Sequence, residues 1–247
     1  MAAERVIVLG ASSGIGAAIA RQLLERGARV ALLGRREERL HEVADSVTSG
    51  GGEAIVRAHD VTDFDAVPSL FDELVSELGG LDTLIYVSGA MPTIEEHEYA
   101  PEKDRQMIQV NVLGAMAWMN PAAAHMEAAR AGTIIGVSSI AGERGRRGNP
   151  AYCTSKAAIT TYLESLRNRL HRYGVRVVTA KPGFVRTAMT EGMGDLLWII
   201  DADEAARQIL KMGDSGRSIS AFVPRRWWMV ALVIRSIPSW IFRKLNL

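Results

Sequence analysis

The sequence predicts one α/β domain built on a doubly wound parallel sheet, and three observations lead there. Short apolar runs of strand length alternate with longer segments of helical periodicity almost to the end of the chain. The strand segments are apolar throughout rather than alternating, as strands covered by helices on both faces must be. No linker or internal repeat divides the 247 residues, a length that suits one large α/β domain.

The elements follow in order. The first strand is residues 5–9, an apolar run ending at Gly10. A helix over 15–25 places Ile19, Leu23 and Leu24 on one stripe, and Gly27 closes it. The second strand is 29–33, followed by a helix over 37–47 and a loop over 49–52. Further strands are predicted at 53–58, 81–87, 132–138 and 176–181, with a last short one at 220–223. Helices are predicted at 66–78, 103–130, 150–173 and 203–212. The catalytic domain is thus 1–224, and 225–247 forms a basic, Trp-rich tail.

Composition narrows the function classes. The net charge of +1 supplies no global field for nucleic acid. Cys153 is the only cysteine, so no intramolecular disulfide forms and a reducing compartment is expected. Residues 1–4 carry no basic leader, so no signal peptide is expected. The expected location is the cytoplasm, free or peripheral to the inner face of the membrane. The apolar run 227–234 is shorter than the ~20 residues of a membrane span and is interrupted at Arg235 and Pro238. Histidines 41, 59, 97, 125 and 171 show no ligand spacing, so no metal site is expected.

Between the first strand and helix lies Gly10-Ala11-Ser12-Ser13-Gly14-Ile15-Gly16. Glycines let backbone approach a pyrophosphate, and a helix N-terminus offers N–H donors and a positive dipole. Read alone, the segment is either that cradle or a tight turn without a ligand. The end of the second strand speaks to which dinucleotide. A carboxylate there would hold the ribose hydroxyls of NAD. The chain instead has Gly34, Arg35 and Arg36, with no acid between Gly27 and Arg36. A guanidinium pairs with a 2′-phosphate, so NADP(H) is expected, with Arg35 the main partner and Ser12 or Ser13 assisting. Asp60 and Val61, after the third strand, either meet the adenine or belong to a helix cap.

Tyr152 and Lys156 stand four apart, on one helix face. Ser139 lies thirteen residues before Tyr152, just past a strand end. Asn111 sits inside the predicted helix 103–130. Pro182-Gly183 ends the next strand, with Thr187 shortly after. Ligands of open α/β sheets bind beyond the carboxyl ends of the strands, where Gly16, Ser139, Tyr152 and Pro182 all belong.

With these residues in this order the sequence resembles the short-chain dehydrogenases/reductases over nearly its whole length. The resemblance implies a Rossmann fold, a catalytic tetrad of Asn111, Ser139, Tyr152 and Lys156, and a glycine motif at Gly10, Gly14 and Gly16. It also implies a Pro-Gly motif at Pro182-Gly183, with Thr187 the partner of the carboxamide. The cofactor set becomes Gly10, Ser12, Ser13, Gly14, Ile15, Gly16, Arg35, Asp60, Val61, Gly89, Tyr152, Lys156, Pro182, Gly183, Val185 and Thr187. Tyr152 would be the acid/base, with Lys156 and oxidised nicotinamide favouring its phenolate and Lys156 also holding the ribose. Ser139 would bond the substrate oxygen. Asn111 would keep a water in a relay to Lys156. One departure stands out: the family's Asn-Asn-Ala-Gly after the fourth strand is here Tyr86-Val87-Ser88-Gly89, so cofactor positioning is expected to differ there. Relatives are often dimers or tetramers, which implies a homodimer or homotetramer here.

Cys153 reads as a small packed side chain. Met116, Trp118 and Met119 read as core or subunit interface. Two segments stay open. Residues 144–147 (Arg-Gly-Arg-Arg) are either a solvated basic loop or a grip on an anionic substrate group. The tail, with three tryptophans among basic residues, is either an interfacial helix or an arm packed on the sheet or a partner subunit. It resembles the C-terminus of decaprenylphosphoryl keto-pentose reductases, which implies a substrate with a lipid or lipid-phosphate part. Met189, Met193, Leu196, Leu197 and Trp198 make the segment 188–201 an apolar lid. The expected function is NADPH-dependent hydride transfer on a hydrophobic or amphiphilic ketone/alcohol pair. The alternatives are a lipid-linked keto-sugar reductase and an NADPH-binding sensor or scaffold.

Overall fold

The computed structural model describes residues 3–47 and 50–245. The described residues form a seven-stranded parallel sheet with the order β3-β2-β1-β4-β5-β6-β9. The strands are β1 (Arg5–Leu9), β2 (Arg29–Gly34), β3 (Glu53–Ala58), β4 (Thr83–Tyr86), β5 (Thr133–Val137), β6 (Arg176–Pro182) and β9 (Ser220–Val223). This is the doubly wound Rossmann arrangement that the alternation of elements predicts. Neighbouring residues of one strand point to opposite faces. Val6 and Val8 of β1 therefore enter one core, against α1 (Gly14–Glu25), α2 (Glu37–Asp45) and α7 (Ala202–Asp214). Ile7 and Leu9 enter the other, against α3 (Val67–Leu78), α5 (Gly114–Ala129) and α6 (Pro150–Leu170).

The direction in which successive strands are added reverses at β1, so β1 and β4 are neighbours although two strands separate them in sequence. That switch opens a crevice at the carboxyl edge of the sheet. The loops after β1, β4, β5 and β6 all meet there.

Three local features differ from the sequence expectation. The long helix predicted over 103–130 is α4 (Pro101–Ile108), a π turn (Gln109–Leu113) and α5. The π turn sits where the Tyr86 hydroxyl bonds the Val110 carbonyl at 2.6 Å. Gly114 lets the chain pass this close: a Cβ there would stand 2.7 Å from the Tyr86 hydroxyl and 2.8 Å from the Val61 carbonyl. Second, two-residue strands β7 (Val185–Arg186) and β8 (Ile200–Asp201) pair and brace the base of the lid. Third, the tail is helical, with α8 (Trp227–Ser236) and α9 (Ser239–Phe242). Several predicted ends also shorten: β4 loses both ends of 81–87, and α6 stops at Leu170 before a 3-10 turn (His171–Tyr173). Residues 1, 2 and 49 of the predicted N-terminus and loop lie outside the described residues.

Candidate active site

The glycine turn is shaped by contacts that admit no side chain. Gly10 holds φ 92°, and a Cβ there would stand 2.7 Å from the Ser88 nitrogen. A Cβ on Gly16 would fall 2.0 Å from the Gly10 carbonyl oxygen, because α1 begins hard against the strand end. Gly14 holds φ 54°, with the Thr187 methyl 3.0 Å from its Cβ position. The turn is thus a backbone-lined cradle at the N-terminus of α1, whose first turn holds no acid. Its donors and dipole suit a pyrophosphate, and Thr187 closes its far side.

At the end of β2, Arg36 donates to the Ser12 hydroxyl at 3.2 Å. Arg35 is largely exposed, and its guanidinium stands 4.0 Å from Asp60. Sequence reasoning singled out Arg35 and passed over Arg36, because adjacent arginines at a helix start look alike. The Asp60 carboxylate accepts from the backbone and hydroxyl of Thr62. Burial works against its charge, yet these bonds and Arg35 hold its pKa below the usual carboxylate value. Val61 and Val185 turn their side chains into the core, and Ile15 packs beside it.

Tyr152 and Lys156 are presented by the first turns of α6. Pro150 opens that helix, and the Asn149 side chain caps it by accepting from the Tyr152 nitrogen at 3.0 Å. Ser139 stands at the end of β5, and its oxygen accepts from the Ala141 nitrogen at 3.0 Å. Burial pushes the Tyr152 phenol up from its ordinary value, and the hydrogen bond with Ser139 and the charge of Arg146 pull it back in part. The Lys156 ammonium lies 5.7 Å from the Tyr152 ring centroid and donates to the Val137 carbonyl at 3.1 Å. Burial lowers its pKa from 10.5 to about 8.

Asn111 comes from the π turn rather than from a regular helix. Its Oδ1 accepts from the Ala90 nitrogen at 2.7 Å; its Nδ2 donates to the Ala90 carbonyl and to Ser155 Oγ. Ser155 is fully buried and donates in turn to the Tyr152 carbonyl at 2.8 Å. The amide thus ties the loop after β4 to the helix of Tyr152. Gly89 lies against both partners: its Cβ would stand 3.6 Å from Asn111 Oδ1 and 3.7 Å from Lys156 Nζ. Ser155 was missed in the sequence, where a serine inside a polar helix carries no signal. Val87, in place of the usual asparagine, packs beside the apolar core.

The open segments 144–147 and 225–245 meet one another. Arg144 donates to the carbonyls of Ile234 and Ile237 and covers the Phe242 ring at 3.9 Å. Its guanidinium is thereby engaged with the tail rather than with a ligand. Arg146 instead places its charge near Tyr152. Glu143, almost wholly buried, pairs with Lys181 at 2.9 Å and with Arg235 of α8. Trp227 is buried over Gly183, whose Cβ position lies 2.0 Å from the indole. It also makes edge contacts with Phe184 and with Trp198 of the lid. Trp198 adopts φ 53°, a strained backbone for a bulky side chain, beneath the Arg226 guanidinium. An apolar wall of Ile140, Phe184, Trp198 and Trp227 thus stands next to Ser139. Among the described residues no cluster of His, Cys, Asp or Glu could hold a metal ion.

Comparison with known proteins agrees with this geometry. The family model described as short chain dehydrogenase matches residues 4–196. The chain is 38% identical over 190 residues to an uncharacterized oxidoreductase of Myxococcus xanthus, covering 77% of this chain and 75% of that one. It is 37% identical over 193 residues to the cis-4-hydroxycyclohexanecarboxylate dehydrogenase of Sinomonas cyclohexanicum, covering 77% of each. A short-chain type dehydrogenase/reductase of Mycobacterium marinum superposes with a TM-score of 0.81 at 28% identity, over 89% of this chain and 93% of that one. The sequence match, the parallel sheet and the site at its carboxyl edge together place the chain in the short-chain dehydrogenase/reductase family of oxidoreductases.

Proposed function

We propose that the protein is an NADPH-dependent reductase of hydrophobic or amphiphilic ketones, working on the corresponding secondary alcohols in reverse. The observation that carries this is the buried Ser139–Tyr152 pair with Lys156 beside it, at the edge where the glycine cradle opens. Bound cofactor supplies the hydride. Ser139 donates a hydrogen bond to the substrate oxygen, and Tyr152 gives that oxygen its proton as negative charge develops. The Lys156 ammonium favours the phenolate left behind. Asn111 Oδ1 and Lys156 Nζ both border Gly89, and a water between the Asn111 segment and Lys156 would return the proton.

Preference for NADPH rests on Arg35 and Arg36, with Ser12 tied to Arg36 and no acid on the strand end. The substrate class rests on the aromatic wall and on the lid side chains Met193 and Leu197. A ketone on a polyprenyl phosphate is the narrower version, supported by the cations around the mouth. Self-association through α5 and α6 is supported by a 690 Å³ groove lined by Met116, Cys153, Ala157 and Tyr162, which excludes Ser139 and Lys156.

The test is NADPH oxidation by the purified protein with a panel of hydrophobic ketones. Turnover should prefer NADPH over NADH by at least roughly tenfold, and Tyr152→Phe should lower it by roughly 100-fold or more. Loss of both arginine side chains should erase the preference. Tight NADPH binding without turnover of any ketone would favour a sensing role instead.

A further inference from the structure

We propose that the lid and the C-terminal helices form one docking surface for an anionic lipid bilayer, set at the mouth of the active site. Large exposed apolar side chains are not scattered over this protein. Of the eleven among the described residues, nine lie between Met189 and Ile241. Those of the lid include Met193 and Leu197, at 44% and 52% exposure. Those of the tail include Trp228, Leu232, Val233 and Trp240, at 50%, 57%, 59% and 60%. The two groups are continuous, because Trp227 and Arg226 of the tail pack on Trp198 of the lid.

The tail is already anchored, so this exposure is not that of a loose arm. Trp227 and Ala231 bury the inner face of α8, Arg144 bonds its last carbonyls, and Glu143 pairs with Arg235. The remaining apolar face is held outward. An exposed apolar patch of this extent on a fixed element marks a contact surface.

Charge identifies the occupant. Residues 225–247 hold five cations and no acid, against Glu191, Asp195 and Asp201 in the lid, so the surface carries a net positive charge in a chain whose net charge is +1. Tryptophan with arginine and lysine around an apolar face fits the headgroup boundary of a bilayer. A second copy docking by two-fold symmetry would bring a surface of the same net positive charge against this one, which opposes that pairing. The consequence for catalysis rests on the reductase reading above: an amphiphilic ketone would reach Ser139 and Tyr152 from the lipid side, past the apolar lid.

The experiment is cosedimentation of the full-length protein with vesicles of phosphatidylcholine alone and with about one-third phosphatidylglycerol. Binding to the anionic vesicles should be at least roughly tenfold stronger, and should weaken by a similar factor on raising salt. A Leu232→Ser, Val233→Ser double variant should lose roughly tenfold or more while keeping its thermal midpoint and NADPH affinity. Arg243→Gln with Lys244→Gln should lose the salt dependence. Failure of the folded wild-type protein to bind anionic vesicles, or binding indifferent to the apolar pair, would overturn the proposal. So would a concentration-dependent doubling of mass that the same pair abolishes, which would assign the surface to a second copy. Turnover of the hydrophobic ketone panel, measured without vesicles, separates the two readings. Turnover without vesicle binding removes the docking surface alone; vesicle binding without turnover removes the reductase alone.

Discussion

The Lys156 ammonium is held where burial works against its charge, so its pKa falls from 10.5 to about 8. The open chain keeps the ordinary value. Between these two pH values the unfolded state therefore binds more protons than the ligand-free fold, and stability rises with pH. The penalty is complete below about pH 8 and is gone above 10.5. At roughly 1.4 kcal/mol per unit it amounts to about 3 kcal/mol. Lys156→Met should therefore be more stable than the wild type at pH 7 by up to that amount, with the gap closing as pH rises. Urea denaturation of both proteins at a series of pH values measures it; a gap independent of pH would mean that the ammonium is not penalised. On the proposed mechanism, turnover should fall in the same variant, because the ammonium assigned to stabilise the phenolate would be gone. Ser139, Tyr152 and Lys156 could be picked out by spacing and Asn111 only by the family resemblance; the fold gathers Ser139, Tyr152 and Lys156 at one edge of the sheet and ties Asn111 to the same helix. Ser155 and Arg36 were not legible in the sequence, since a serine or arginine in a helix looks solvated until the fold shows what it touches.

The π turn is the element that sequence periodicity could not reveal. Residues 101–108 are mostly polar and 114–129 are apolar nearly all round, so neither side of the turn has a stripe whose phase one extra residue would visibly shift. The partner of the turn lies elsewhere in the chain, at Tyr86 on the end of β4. Its hydroxyl bonds the Val110 carbonyl, next to the residue that supplies the amide of the tetrad. Burial keeps that phenol neutral, so it remains a donor across the working pH range. Tyr86→Phe removes the donor and leaves the carbonyl without it, at a cost of about 1–2 kcal/mol. The displaced turn should loosen Asn111 from Ala90 and Ser155. We expect kcat to fall several-fold with a smaller change in KM for NADPH. Denaturation and steady-state kinetics on the variant check both. Unchanged kcat with lowered stability would show that Tyr86 supports the sheet without setting the amide. The central strands β1, β2 and β6 were readable almost to the residue, since burial on both faces leaves a continuous apolar run, whereas β4 is shorter than its run and the two-residue β7 and β8 leave no signal.

Across the whole molecule the least legible part was the tail, whose composition alone suits a membrane helix, a packed arm or a subunit contact. The family match ends at residue 196, before Trp198 and before Arg226 and Trp227, which pack on it. Only the fold shows that 143–144, just after Ser139, grip the tail with two consecutive side chains. Glu143 is the centre of that grip, 1% exposed between Lys181 at 9% and Arg235 at 58%. The two pairs differ in worth. Arg235 keeps most of its hydration, so Arg235→Gln should cost less than about 1 kcal/mol. Glu143→Gln strands the Lys181 ammonium in the interior beside Pro182-Gly183, and should cost about 3–5 kcal/mol. Replacing both buried partners, Glu143→Leu with Lys181→Met, should recover most of that loss, because an apolar pair leaves no charge to desolvate. Trp227 is the internal reporter once the other four tryptophans are replaced by phenylalanine: in Glu143→Gln its fluorescence should shift to longer wavelength as α8 leaves Gly183, and in the double variant it should return. If the single variant unfolds with an undisturbed tryptophan, the ion pair holds the sheet alone. If stability returns in the double variant but the fluorescence does not, Arg235 and the charge of Glu143 are what seat the tail against the active site.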